Sequence, residues 1–409
     1  MALDLTSVAS QVGEMLSRLK AGLSERQAHL QSALDTVHSP AVDLDKLRKK
    51  IAAGKTTWLV ADPVEGLDRC YPAPPLPAEF TVIATDGSHI DVDRHRSTRC
   101  YLLNISSIRL RYGFTLKVHP EGAEPDAVLE SFPSLYAADE DLVIAPEGGE
   151  KGREQLVEGA LLGIKRSVEE CQRLAELAAG LPKSSSSLAL LDGSLILWGL
   201  EAFPEFVTDL MLDKGFLNCL SQIKKLNKDK KLALASYISY PRSTDVVNAL
   251  RVALCPNDPP DCDRYCIAGE KRGCEVVAGV QDRDLFSSLL AQGERSALFI
   301  SQSSVVRKRY GEHRVYFFYL RTDEEIARVE IPQWVATDKN LLNLTHSLVL
   351  DQCRRGQGYP VALSEAHEQA VVTMADRENF WALVEVSLVE EKLPTPSSGK
   401  SRSKRTRWV

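Results

Sequence analysis

No stretch of this chain stays apolar for anything near the roughly 18 residues that a membrane-crossing helix needs, so no membrane span is expected. Its start, Met1-Ala-Leu-Asp, has no basic segment leading into an apolar block, and no secretory signal is expected. A cytoplasmic protein is therefore anticipated. Cysteines number nine, odd and unevenly spread, which fits reduced thiols plus a local cluster better than a disulfide framework. The sequons at Asn104-Ile-Ser and Asn343-Leu-Thr then read as chance matches. Excess positive charge is missing too: the net charge of −6 argues against a wholly basic nucleic-acid coat protein while leaving room for local basic patches. The triplet Gly54-Lys55-Thr56 resembles the end of a nucleotide-binding loop, but Lys49 stands where that loop needs its first glycine, which excludes an ATP site there. No Ser-His-Asp or Cys-His pattern suggests a covalent route.

What the chain does have is Asp-Gly-Ser twice, at Asp86-Gly87-Ser88 and Asp192-Gly193-Ser194, each after an apolar, β-rich run (residues 80–84 and 188–191). Both carboxylates are expected at strand ends. If the strands are neighbours, the repulsion between these carboxylates calls for a hard cation or a shared proton. Asp-Gly is also the commonest tight-turn dipeptide, so each copy alone reads equally as a turn.

With 409 residues, 44% hydrophobic and 26% charged, the chain is long enough for one large or two moderate globular domains. Leu5, Val8, Val12, Leu16, Leu19, Leu23, Leu30, Leu34 and Val37 draw one helical stripe, predicting a long amphipathic helix that packs on its own domain or forms a seam with a partner. Pro72-Ala-Pro-Pro-Leu-Pro77 is a stiff connector. Strands are expected at 81–85, 100–112, 188–191, 232–239, 297–302 and 315–320, and helices at 152–179, 204–226, from Ser243, 340–352 and 362–375. The stretch 121–150 reads as an acidic loop. This alternation indicates an α/β fold on a mixed sheet. Pro394 onward, ending in Lys400, Arg402, Lys404, Arg405 and Arg407, reads as a disordered basic tail.

Glu169 and Glu170 lie on the helix between the two Asp-Gly-Ser copies. Glu169 stands about 100° from Val168 and borders the buried stripe; a solvated glutamate is the other reading. His367 shares an apolar face with Leu363, Ala370, Val371 and Met374, where a buried core histidine competes with a metal ligand. Cys255, Cys262, Cys266 and Cys274 cluster in a proline-bearing stretch whose spacing is not a CxxC pair; zinc on four thiolates, an iron–sulfur cluster and plain reduced thiols are all open. Basic candidates for a phosphate contact are Lys224 and Lys225, with Lys228, Lys230, Lys231, Arg242, Arg251, Arg307, Lys308 and Arg309; Arg242 is favoured because it follows a strand end.

Asp86-Gly-Ser after a strand, the glutamate-bearing helix, Leu190-Leu-Asp192-Gly-Ser-Leu195, Tyr240-Pro-Arg-Ser243 and Gly358-Tyr-Pro-Val-Ala-Leu363 with Ala366-His367 together resemble the NurA nucleases over about residues 78–380. The resemblance implies a ribonuclease H-like core, manganese (or magnesium), 5′-to-3′ degradation of DNA with single-strand endonuclease activity in DNA end processing and repair, a homodimer, and the hexameric ATPase HerA as partner. It implies Asp86, Glu169, Asp192 and His367 as catalytic metal ligands, with Glu170 a substitute for Glu169 because the 182–187 loop lengthens the spacing to Asp192. The rival is a catalytically weak interaction subunit that regulates a DNA-translocating ATPase. The expected organisation is an arm and connector over 1–77, a NurA-type domain over 78–392 with a cysteine-rich insertion at 255–280, and the tail over 393–409.

Overall fold

The computed structural model describes residues 4–93, 98–113, 126–146, 148, 153–183, 185–266 and 272–393. The expected basic tail, from Pro394 on, lies outside them. The fold is mixed α/β, and the chain forms two compact units.

One unit comprises Met1–Ala73, Ile238–Arg307 and Tyr316–Val329. The expected N-terminal helix is interrupted at Gly22 into Leu5–Ala21 and Leu23–Val37. The first half buries no residue and leaves Leu5, Val12, Met15, Leu16 and Leu19 exposed. The second packs Ala33 and Val37 into a core with Leu47, Leu250, Phe286, Phe299, Phe317 and Tyr319. Phe286 stacks on Tyr319 with ring centres 4.5 Å apart.

The other unit comprises Pro74–Tyr237, Lys308–Val315 and Glu330–Val409 and carries the two Asp-Gly-Ser copies. Its elements are β1 (Phe80–Ile90), β2 (Tyr101–Tyr112), β3 (Ala127–Tyr136), α1 (Ala160–Ala179), β4 (Ser186–Asp192), α2 (Leu217–Leu226), β5 (Lys231–Ile238), α3 (Lys339–Arg355), α4 (Val361–Ala370) and α5 (Met374–Glu390). The strands run in the order β3-β2-β1-β4-β5. The first three are antiparallel, and β1, β4 and β5 are parallel. This is the ribonuclease H-like arrangement that the resemblance implies. Fully buried Val82, Ile83, Ala84 and Leu188–Leu190 give β1 and β4 the continuous apolar runs of strands covered on both faces. β3 falls within the expected acidic loop: it is the exposed last strand of the order, with Pro133 in its middle, and shows little buried face to read. α2 continues a π-helical segment, Asp209–Phe216.

Candidate active site

The two Asp-Gly-Ser copies have different backbones. At Asp192 the strand ends as expected, and Gly193 takes φ +80°, a turn that suits glycine. At Asp86 it does not: β1 runs through Asp86, Gly87 and Ser88 to Ile90, paired residue for residue with β2. Gly87 serves space rather than a turn. A Cβ added there would lie 2.7 Å from Glu170 Oε1, 2.8 Å from Ile105 Cδ1 and 3.0 Å from Arg166 Cγ. The parallel register pairs Thr85 with Leu191, so Asp86 and Asp192 follow at corresponding positions on neighbouring strands.

Alternate strand residues face opposite sides of the sheet. Asp86 faces α4, where His367 Nδ1 sits 2.9 Å from its Oδ2. Gly87 faces α1, and the missing side chain lets Glu170 reach the strand. Glu170, not Glu169, is the glutamate whose carboxyl feels the charges of Asp86 and Asp192. Glu169 points elsewhere: its carboxylate lies 3.4 Å from Lys165 Nζ, which in turn covers the Tyr136 ring. Both glutamates border the buried stripe, one on each flank. Glu170 stands in the i, i+4 row of Leu162, Arg166 and Leu174, and both leucines are fully buried. That row is the signal that could have chosen it. His367 is no core histidine either, since its side chain is 64% exposed.

Glu170 is held in an unusual state. Its residue is only 8% exposed, and burial raises its carboxyl from 4.5 to about 8. Arg166 opposes that rise, while Asp86 and Asp192 add to it. Arg166 Nε stands 3.0 Å from Glu170 Oε1, yet neither atom completes an aligned hydrogen bond. Asp192 keeps contact with solvent, but its surroundings and Asp86 hold its carboxyl above the usual range.

One participant had no role in the sequence reading. Tyr359 donates its hydroxyl to Asp192 Oδ1 at 2.8 Å and meets Tyr237 edge-on at 5.5 Å. Its backbone position depends on glycines: a Cβ at Gly356 would lie 2.0 Å from Tyr359 O, and Gly358 has φ +112°. The glycine before Tyr359 was visible in the sequence, but its hydroxyl had no partner to suggest.

Among the described residues, no group of three or more His, Cys, Asp or Glu side chains is arranged to hold a metal ion as it stands. The donor chemistry nevertheless fits a hard divalent cation: three carboxylates that repel one another, one imidazole, and a buried carboxylate oxygen lacking a hydrogen bond. The four clustered cysteines are free thiols, and burial together with Cys266 and Cys274 raises the Cys262 thiol.

The basic candidates separate by their surroundings. Lys224 pairs with Glu312, Lys230 donates to Ala178 O and Ala179 O at 2.8 Å each, and Arg309 is bound by Glu205, Asp209 and Asp213. Lys224 and Lys225 end α2, shortly before Lys231, whose register partner Ser186 starts β4. Asp192 ends that strand six residues on, about 20 Å away. In the other unit, Arg251 lies over Trp58 at 4.1 Å and bonds Asn248, a packing role, whereas Arg242 is exposed.

The five-stranded mixed sheet, with Asp86 and Asp192 at corresponding positions on neighbouring parallel strands, defines the chain as a ribonuclease H-like α/β protein. The NurA domain matches residues 80–372, and the chain belongs to the NurA family, a family of nucleases. No curated protein matches the chain.

Proposed function

We propose that the chain is a metal-dependent deoxyribonuclease that degrades DNA from the 5′ end, cuts single strands internally, and serves DNA end processing as a homodimer beside a HerA-type ATPase. The observation that carries the reading is Glu170: a buried carboxyl whose proton affinity burial, Asp86 and Asp192 raise even though Arg166 Nε stands 3.0 Å from its Oε1. A carboxyl so disfavoured as an anion is costly to keep unless a cation uses it.

In this reading Asp86, Glu170, Asp192 and His367 hold Mn²⁺ or Mg²⁺. The bound ion supplies an acidified attacking water and positive charge at the leaving oxygen. The chain's residues do the rest. The hydrogen bond from Tyr359 fixes the Asp192 carboxylate and favours its ionised form. Contact with Asp86 orients His367. Arg166 offsets the negative charge of Glu170 and is only partly covered, so its free donors can meet a phosphate.

The test is incubation of labelled linear DNA with the purified chain and Mn²⁺, with and without chelator. Cleavage that appears with Mn²⁺ and stops with chelator supports the reading. Intact DNA in both, together with capture of the ATPase, would instead favour the interaction subunit.

A further inference from the structure

Beyond Asp192, residues 193–198 form a loop held from beneath by two nearly inaccessible groups. Glu330, 1% exposed, accepts from Ser194 Oγ at 2.8 Å and from Leu195 N at 2.9 Å. Tyr310, also 1% exposed, accepts from Leu197 N and donates to Leu195 O, both at 3.0 Å. Leu195, Ile196 and Leu197 are buried by this anchoring. The next residue, Trp198, is not: it is 52% exposed, and Trp58, Trp334 and Trp381 are all better covered.

Trp198 is also fixed in direction. Its indole Nε1 donates to Ser194 Oγ at 3.2 Å, the same hydroxyl that Glu330 holds, and its backbone N bonds Ile196 O at 2.8 Å. Gly199 then turns the chain away at φ +86°. An anchored, outward-facing indole, bonded to Ser194 two residues past Asp192, gives up apolar burial and presents a flat aromatic face to solvent. Every nucleobase offers a matching face, and stacking of this kind is tolerant of sequence.

We propose that Trp198 is a stacking platform for an unpaired base of the DNA strand delivered to Asp86 and Asp192. The inference rests on the nuclease reading and adds to it a preference for frayed or single-stranded DNA near the site. Trp198 binds substrate without acting on the reacting atoms. The stacked base limits sliding of the strand.

The experiment measures anisotropy of fluorescein-labelled oligothymidylate, an abasic strand of equal length, and a blunt duplex, each in Ca²⁺ with full-length protein. Trp198→Ala should bind oligothymidylate ~5–100-fold more weakly than the wild type. Its affinity for the abasic strand and the duplex should change less than about twofold, and Trp198→Phe should recover most of the loss. Equal affinity of Trp198→Ala and wild type for oligothymidylate overturns the proposal. An equal loss on the abasic strand overturns it too, because Trp198 would then only shape the loop. Unchanged DNA affinity with weakened self-association in light scattering would make it a protein contact instead. Wild-type protein that binds none of the three probes would refute the nuclease reading itself, a result separate from failure of the variant alone.

Discussion

Two acidic clusters, one in each unit and each with a buried carboxyl, differ in how their oxygens are used. In the first unit, Asp282 is fully buried and accepts from Val246 N, Val247 N and the Tyr319 hydroxyl at 3.2, 2.9 and 2.6 Å. Its neighbour Asp245 meets Arg328 Nη1 at 2.8 Å. Burial and Asp245 raise the Asp282 carboxyl, yet neither acid has a buried oxygen without a hydrogen bond. In the second unit, burial and the charges of Asp86 and Asp192 raise Glu170, and its Oε1 meets Arg166 Nε at 3.0 Å without an aligned hydrogen bond. A saturated cluster caps a helix and ties strands together; an unsaturated one is prepared to receive something. In the proposed reading, the contrast separates a structural acid from a functional one.

The largest expected difference follows from exchanging the two kinds of loss. Asp86→Ala and Asp192→Ala should each lower Mn²⁺-dependent cleavage by roughly 100-fold or more, with no fall in thermal stability, because removing one carboxylate relieves repulsion. Asp282→Ala should do the reverse, costing about 3–5 kcal/mol in urea unfolding by leaving its partners buried and unpaired, with little effect on cleavage per folded molecule. Wild-type cleavage by either Asp86→Ala or Asp192→Ala would end the distinction.

Next in size is the choice between adjacent glutamates. Glu170→Gln should reduce cleavage by roughly tenfold or more, and Glu169→Gln, which only weakens the pair with Lys165, should stay within about twofold of wild type. Equal losses would return Glu169 to the site.

Acidity gives a third comparison. Folded Glu170 binds its proton up to about pH 8, against an ordinary 4.5, so the metal-free fold loses stability as pH rises between those values. The loss should be on the order of 3 kcal/mol between pH 5 and pH 8.5 in urea titrations, and Glu170→Gln should remove it. The same slope in both proteins would mean that the carboxyl is not held as described. Smallest is Tyr359→Phe: losing one hydrogen bond to Asp192 should lower cleavage ~2–10-fold, detectable in initial rates at fixed Mn²⁺.

Much of this was legible in the chain because apolar runs mark covered strands. The runs before Asp86 and Asp192 identified β1 and β4 and thus the edge where acids meet. Three features escaped for physical reasons. β3 is exposed along nearly its whole length and carries Pro133, so its composition resembles the acidic loop around it. The strand Ile326–Pro332 carries Arg328 and Glu330 among its buried residues, hiding a core strand behind charges that pair only in three dimensions. Asp86 looked like a turn residue because Asp-Gly is ambiguous: only the approach of Glu170 reveals that Gly87 makes room for a carboxylate. Glu169 and Glu170 both stayed open in the sequence, since a stripe has two flanks and periodicity does not say which of them meets the sheet.

Calorimetric titration of Mn²⁺ into wild type, Asp86→Ala/Asp192→Ala and Asp282→Asn at pH 8 tests the contrast most directly, because it reads ion binding without catalysis. Wild type and Asp282→Asn should bind Mn²⁺ alike, and the double variant should bind none at the concentrations that saturate wild type. Undiminished Mn²⁺ binding by the double variant would contradict the assignment of the unsaturated cluster as the metal site.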